Sequence, residues 1–359
     1  AEHEFAGHSI RYELLANAIA EAPGLGEPLL AAPPRQRLAL LYFAAVQFLL
    51  RGPARGHPLS AYLPTLGGTR EPDGGLLPAF AAFVRDHCGE LAALCASRTT
   101  QTNEARRTAL FRPAFAHVTG VLDGRPVGLV ELGTSAGLLL IPDRYGYRYG
   151  GDLYGRPDPP TDLLMSCELR GPARPPHLDR APVIADRVGL DLHPVDATDP
   201  AAADWLRSCV WPEQRDRLAR LDAALAEVAS AAPRLVEGDM VALLAPVLST
   251  VDAVPLVFAS NALLYLTRDS QADLVRTLAG IGAERDLVLV VNEPAESGLR
   301  LFAPDSPAPD PEVAVGTLTL VTWLDGRHTV TSLADTAPHG QWLRWRPAEY
   351  PYRPPALAG

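Results

Sequence analysis

The stretch Val127-Gly128-Leu129-Val130-Glu131-Leu132-Gly133-Thr134-Ser135-Ala136-Gly137-Leu138-Leu139-Leu140-Ile141 reads as a strand, a glycine turn and the start of a helix. A short apolar run bounded by Gly124-Arg125-Pro126 is the pattern of a strand covered on both faces. Gly133 and Gly137 lack Cβ atoms, so the chain turns sharply there and its backbone is free to approach a ligand closely. A helix that starts after such a turn offers unsatisfied N–H groups to a carboxylate or a ribose oxygen. Glu131, at the strand's end, is a carboxylate suited to a cationic amine or sulfonium. The alternative is a tight strand-to-helix turn with a solvated Glu131.

Outward from this stretch the two directions differ. Upstream, apolar positions recur at three- and four-residue spacing in Ile10–Ala22, Arg35–Arg51, Leu77–Ala96 and Asn103–Thr119, which predicts helices and no strand before Val127. Downstream, strands are expected at Arg187–Leu192, Arg234–Glu237, Val254–Ser260 and Asp286–Asn292, alternating with helices that begin near Pro200, Pro212, Val241 and Ser270. Such alternation builds a parallel sheet with right-handed crossovers. Val313–Trp323 and Arg327–Leu333 flank Asp325-Gly326, a hairpin signal. Between Asp143 and about Arg180 the chain is rich in Gly, Pro and Tyr, with strand-like pieces at Tyr145–Tyr149 and Leu163–Leu169, read as an inserted antiparallel hairpin region (143–182). The expected fold is therefore α/β: a Rossmann-like open sheet, mostly parallel, with a C-terminal antiparallel hairpin, over 121–359, plus an N-terminal helical domain over 1–120.

Composition narrows the chemistry. With 47% hydrophobic residues in 359, the chain buries a full core without staples. A net charge of −10 argues against a nucleic-acid backbone as partner. All 32 basic residues are Arg, so a Schiff-base lysine and a P-loop lysine are both excluded. The four cysteines make no C-x-x-C pair, and no metal-type cluster is apparent. Cys88 and Cys95, seven apart on an expected helix, are read as buried reduced thiols in a cytoplasmic protein. The most apolar stretch, Leu38 to Leu50, falls short of the roughly 20 residues that span a bilayer. No membrane partner is expected.

Glu131-x-Gly133-x-x-x-Gly137 resembles the first motif of the class I S-adenosylmethionine-dependent methyltransferases. The likeness covers about residues 120 to 345. It implies S-adenosylmethionine as cofactor, held by Glu131, Gly133, Thr134, Ser135 and Gly137. Gly189-Leu190-Asp191-Leu192 looks like the second strand, whose acid holds the ribose. Gly238-Asp239 stands where the family places a polar group near the adenine, and Val257-Phe258-Ala259-Ser260-Asn261 follows the fourth-strand pattern. The family usually leaves about 20 residues between the glycine loop and the ribose acid, whereas Gly137 and Asp191 are 54 apart here. Either the tyrosine-rich region is inserted between them, or Glu168 is the second-strand acid. The whole chain also resembles a high-GC bacterial family of unknown function, through Gln101-Thr102-Asn103-Glu104, Glu131–Leu138, Asp143-Arg144-Tyr145 and Val210-Trp211-Pro212-Glu213-Gln214.

Other constellations carry a functional and a structural reading each. In Arg98–Arg107, Asn103 and Glu104 are either substrate contacts or acid/base groups, or else the capping residues of a helix N-terminus. Tyr145, Tyr147 and Tyr149 share one strand face, as an aromatic wall or as the buried side of a hairpin, while Arg144 suits an anionic substrate. Glu293 ends the fifth parallel strand and is a second base candidate. Val210–Arg215 is a lid bearing Glu213 or a proline-initiated helix. His193 is solvated or structural. Gly133-x-Ser135-x-Gly137 also fits a hydrolase nucleophile elbow, with Ser135, Asp252 or Asp310, and His328 or His339. A third reading is a nucleotide-fold binding protein without chemistry. The substrate class, small molecule or peptide, stays open, as does the oligomeric state.

Overall fold

The computed structural model describes residues 5–307 and 316–353. Asp310, one of the hydrolase acids considered above, lies outside the described residues, as do the first positions of the strand expected at Val313. The chain forms two compact units, Ala1–Asn103 with Asp196–Asp222, and Glu104–Val195 with Ala223–Gly359. The first thus ends at residue 103 rather than near 120, and it takes in 196–222 as well.

The described part of the first unit contains helices and no strand: Ile10–Glu21, Ala39–Arg51, Leu76–Asp86, Cys88–Ser97 and Pro200–Ser208, with 3-10 turns between them. Gln47 explains why 196–222 belongs here. Fully buried, it donates to the carbonyls of Ser208 and Val210 and to the Tyr12 hydroxyl, and accepts from Thr65. Glu213 accepts from Ser9 Oγ at 2.6 Å and pairs with Arg11, so it fastens the first helix rather than riding on a lid. The helix expected over Leu77–Ala96 is broken at His87, whose φ of −122° and ψ of 21° leave the helical region. The break opens the second helix at Cys88, which is exposed; Cys95 is buried as expected.

The described part of the second unit is built on eleven strands: β1 (Val127–Leu132), β2 (Gly146–Tyr149), β3 (Asp152–Gly155), β4 (Leu164–Arg170), β5 (Ile184–Asp191), β6 (Arg234–Glu237), β7 (Val254–Ser260), β8 (Leu287–Glu293), β9 (Gly316–Leu324), β10 (Arg327–Thr336) and β11 (Trp342–Tyr350). They make one sheet in the order β3-β2-β4-β11-β10-β9-β8-β7-β1-β5-β6. The segment β6-β5-β1-β7-β8 is wholly parallel, and β9, β10 and β11 follow as an antiparallel meander. All positions of β1 and β8 are buried, as a strand covered on both faces requires. On one face the helix Thr108–Val121 sets Phe111 and Phe115 edge-on to Phe258. On the other, Leu244, Leu248, Leu274 and Leu278 from two helices close over Val130, Val257 and Leu289. Asp325 and Gly326 take φ of 50° and 72°, the left-handed pair that a two-residue hairpin turn needs.

Two features depart from the sequence expectation. β2 and β4 do not form a hairpin: they pair in parallel, and β2 makes its hairpin with β3. β11, whose Pro347 obscured its pattern, links the meander to β4. Among the described residues no helix is long and apolar enough to cross a membrane.

Candidate functional site

β1 is flanked by β5 on one side and β7 on the other, so chain order reverses across it. That reversal opens a crevice at the carboxyl ends of these strands. Glu131 through Gly137 and Asp191 meet at that edge. The Ser135 amide donates to Asp191 Oδ2 at 2.8 Å, and the His193 amide donates to Oδ1 at 2.9 Å. The amides of Gly133 and Thr134 both reach the Leu190 carbonyl. Glu168 is set aside as second-strand acid, because β4 is parted from β1 by five strands and Glu168 is ion-paired with Arg170. The tyrosine-rich region is the insertion, and β5 is the neighbour of β1.

The loop is shaped by contacts within the protein. A Cβ on Gly133, at φ +74°, would stand 2.6 Å from Ala262 Cβ. A Cβ on Gly189 would come within 2.4–2.7 Å of three Thr134 side-chain atoms. Ser135 itself takes φ of 50°, a strained value for a residue with a side chain. The helix expected after Gly137 is absent. Leu138–Leu140 and Pro142–Arg144 are single 3-10 turns, because Pro142 ends any helix and the chain leaves for β2. The loop therefore has no helix N-terminus to offer a ligand carboxylate.

Electrostatically the edge is a buried polar cluster. Glu131 is enclosed and accepts from Thr134 Oγ1 at 2.8 Å. Burial holds its pKa well above the usual carboxylate range; the Thr134 bond opposes this, Asp191 adds to it, and Arg107 opposes it. Glu293, 0% exposed, accepts at Oε1 from the amides of Ala262 (2.7 Å) and Leu263 (3.1 Å). Its pKa is pushed up to about 7 by burial, against the pull of those two amides, of the Leu264 amide and of Arg107. Its Oε2, and the Oγ of buried Ser260, are without a hydrogen-bond partner in the structure. Arg107, in the 3-10 turn Ala105–Arg107, reaches the carbonyls of Pro338 and Ser260 and the ring of His339. The sequence reading assigned Arg107 no role; its place in the polar run just ahead of the helix before β1 was the available signal.

Most of the other candidate residues have structural roles. Glu104 is buried and caps the turn by accepting from the Arg106 amide. Asn103 is buried and is the last residue of the first segment of the first unit. Asp239 is the N-cap of the helix Met240–Leu248, accepting from Val241 and Ala242. Tyr145 is corrected: wholly buried, it donates to the Leu138 carbonyl and presents nothing to a substrate. Tyr147 and Tyr149 are likewise buried, each bonded to a carbonyl, so the tyrosine face is hairpin core. Arg144 is exposed and faces Glu227 at 3.8 Å, which satisfies it on the surface. For the hydrolase reading, Asp252 precedes β7, and His328 pairs with Trp323, which pairs with the start of β8. Both thus lie at the amino ends of the parallel strands, a strand length from Ser135. Among the described residues no cluster of His, Cys, Asp and Glu is placed to hold a metal ion.

Three comparisons bear on this geometry. Residues 1–345 match the model of a family described as "Uncharacterized protein conserved in bacteria (DUF2332)". No curated protein matches the chain. Among solved structures, the CcbJ methyltransferase from Streptomyces caelestis aligns at 19% identity over 70% of this chain and 78% of its own, with a TM-score of 0.22. A likeness that low supports neither fold nor activity.

Proposed function

The chain belongs to that bacterial family, and from its own strand-end geometry we propose that it binds S-adenosylmethionine at the carboxyl ends of β1, β5 and β7 and acts as a methyltransferase. The observation that carries the reading is the meeting of the Glu131–Gly137 loop with Asp191 on adjacent strands at the point where strand order reverses.

The donor set fits such a ligand. Asp191 is half-buried and uses one lone pair of each oxygen, leaving the others for ribose hydroxyls. Ser260 Oγ and Glu293 Oε2 are buried polar atoms that a bound group would satisfy. Burial raises the pKa of Glu131, and a ligand ammonium beside it would lower it again. The ligand supplies an electrophilic methyl on sulfur. The protein's part is to align the acceptor and to take its proton at Glu293 Oε2, whose proton affinity is set near neutrality by burial.

Calorimetric titration with S-adenosylhomocysteine tests the reading. Binding to the wild type, weakened at least about tenfold in Asp191→Asn, supports it. Asp191→Asn is chosen over Asp191→Ala because it keeps an acceptor for one of the two amides that shape the loop, where alanine keeps none. A folded wild type that does not bind the ligand refutes the proposal. Binding with no methyl transferred to any acceptor tried favours a binding protein without chemistry.

A further inference from the structure

The Glu293 carboxylate has two oxygens in two situations. Oε2 has no partner, while Oε1 gathers the amides of Ala262 and Leu263, which follow Asn261 just past the end of β7 at Ser260. Asn261 holds φ of 52°, so the backbone turns back over the strand end and delivers those two amides to one point. Successive amides converging in this way form a small anion nest. Here its anion is built in, on the neighbouring strand β8.

What the nest holds in place is Ala262. Its methyl lies against Gly133, close enough that no side chain fits at that glycine. Gly133 is the pivot of the loop whose next residues bond to Leu190 and Asp191. A contact chain thus runs from Glu293 Oε1 through the Ala262 amide and methyl to the Gly133 backbone. It crosses three adjacent strands, β8, β7 and β1. We infer that Glu293 is a positioning residue for the glycine loop: by holding the Ala262 and Leu263 amides it fixes Ala262 against Gly133 and so sets the loop conformation that receives the ligand. The ligand half of this statement rests on the methyltransferase reading; the loop half does not.

A consequence follows from burial. The carboxylate that makes the clamp titrates near neutrality, and an ionised acceptor binds amides about twice as strongly as a neutral one. From outside its own strand Arg107 acts on Glu293 and favours ionisation; Glu104, Glu131, Asp191 and His339 are further titratable groups of this edge. Raising the pH from 6 to 8 therefore tightens the clamp.

The test is a pH titration of backbone amide resonances in isotopically labelled, full-length protein. In the wild type, Ala262, Leu263 and Gly133 shift together with one midpoint near 7. In Glu293→Gln, which keeps a carbonyl acceptor but does not titrate, all three stay flat across that range. In Ala262→Gly, position 263 still titrates while Gly133 no longer follows. A Gly133 resonance that does not move with Ala262, or a titration that survives in Glu293→Gln, overturns the inference. A second arm measures S-adenosylhomocysteine affinity, expected to strengthen roughly three- to tenfold from pH 6 to 8 in the wild type and to strengthen less in Glu293→Gln, which keeps only the response of Glu131; an equal gain in both proteins overturns the inference. Affinity that is level in the wild type also overturns it. If the ligand does not bind at all, the methyltransferase reading falls and the amide titration alone decides the role of Glu293.

Discussion

Substituting Glu293 by Gln should change how the stability of the second unit depends on pH, and the size of the change follows from the site. The carboxyl is wholly enclosed and its pKa is raised from 4.5 to about 7. A carboxyl whose folded pKa is raised binds its proton better in the folded state, so it contributes stability that is full below pH 4.5 and is lost as pH rises through 7. A tenfold difference in proton affinity between the folded and unfolded chain is worth about 1.4 kcal/mol, so the loss between pH 5 and 8 is roughly 2–3 kcal/mol. Glutamine keeps a carbonyl for the Ala262 and Leu263 amides. In place of the unpartnered Oε2 it puts an NH2 with no acceptor, at a pH-independent cost of about 1–3 kcal/mol. The variant should therefore be less stable than the wild type at pH 5, and the difference should shift in its favour by roughly 2–3 kcal/mol by pH 8. Urea unfolding of both proteins at several pH values checks this, because every other titrating group cancels in the difference. A difference that stays constant from pH 5 to 8 refutes the claim that Glu293 is buried as an acid, and with it the clamp's proton sensitivity.

Gly189→Ala should destabilise by roughly 1–3 kcal/mol in denaturant unfolding, since the new methyl meets a Thr134 side chain that is itself buried and bonded to Glu131; a neutral outcome would mean that the loop moves aside freely. Binding of S-adenosylhomocysteine should release protons, because the ligand's ammonium lowers the raised pKa of Glu131, seen as a dependence of the calorimetric heat on the buffer's ionisation enthalpy. Buffer-independent heats would show that Glu131 does not meet the ligand's ammonium. A fluorophosphonate should leave Ser135 unlabelled, because Asp252 and His328 stand at the far ends of the strands and His339 meets Arg107; labelling would revive the hydrolase reading. Tyr149→Phe should cost about 1 kcal/mol of stability and leave ligand binding unchanged, as its hydroxyl serves only the Ala109 carbonyl; a binding defect would return the tyrosine face to the site.

The parallel strands were legible because each is a short apolar run between turn signals, and Arg234–Glu237 and Val254–Ser260 fall where the pattern puts them. The helix after Gly137 was not, since Leu138–Ile141 is apolar enough for either a helix or a buried turn, and what decides is Pro142 and the exit to β2. Order along the chain also hid the sheet's far edge: nothing local says that β4 pairs with β11, more than 170 residues on, and that partnership is what removes Glu168 from the site. At the site the same limit appears in sharper form. Residue types marked Glu131, Asp191, Ser260 and Glu293, but their roles depend on what each already touches. Asp191 bonds two amides, Glu131 a threonine, and Glu293 a turn from the next strand. Glycine is where the two levels part most clearly. In the sequence, Gly133 signals room for a ligand, because a missing Cβ leaves a gap; in the fold, Ala262 fills that gap. A glycine loop packed by its own protein is not thereby a poor binding loop. It is one whose shape is set by a neighbouring strand, and any ligand that fits it must fit the position of Ala262 too.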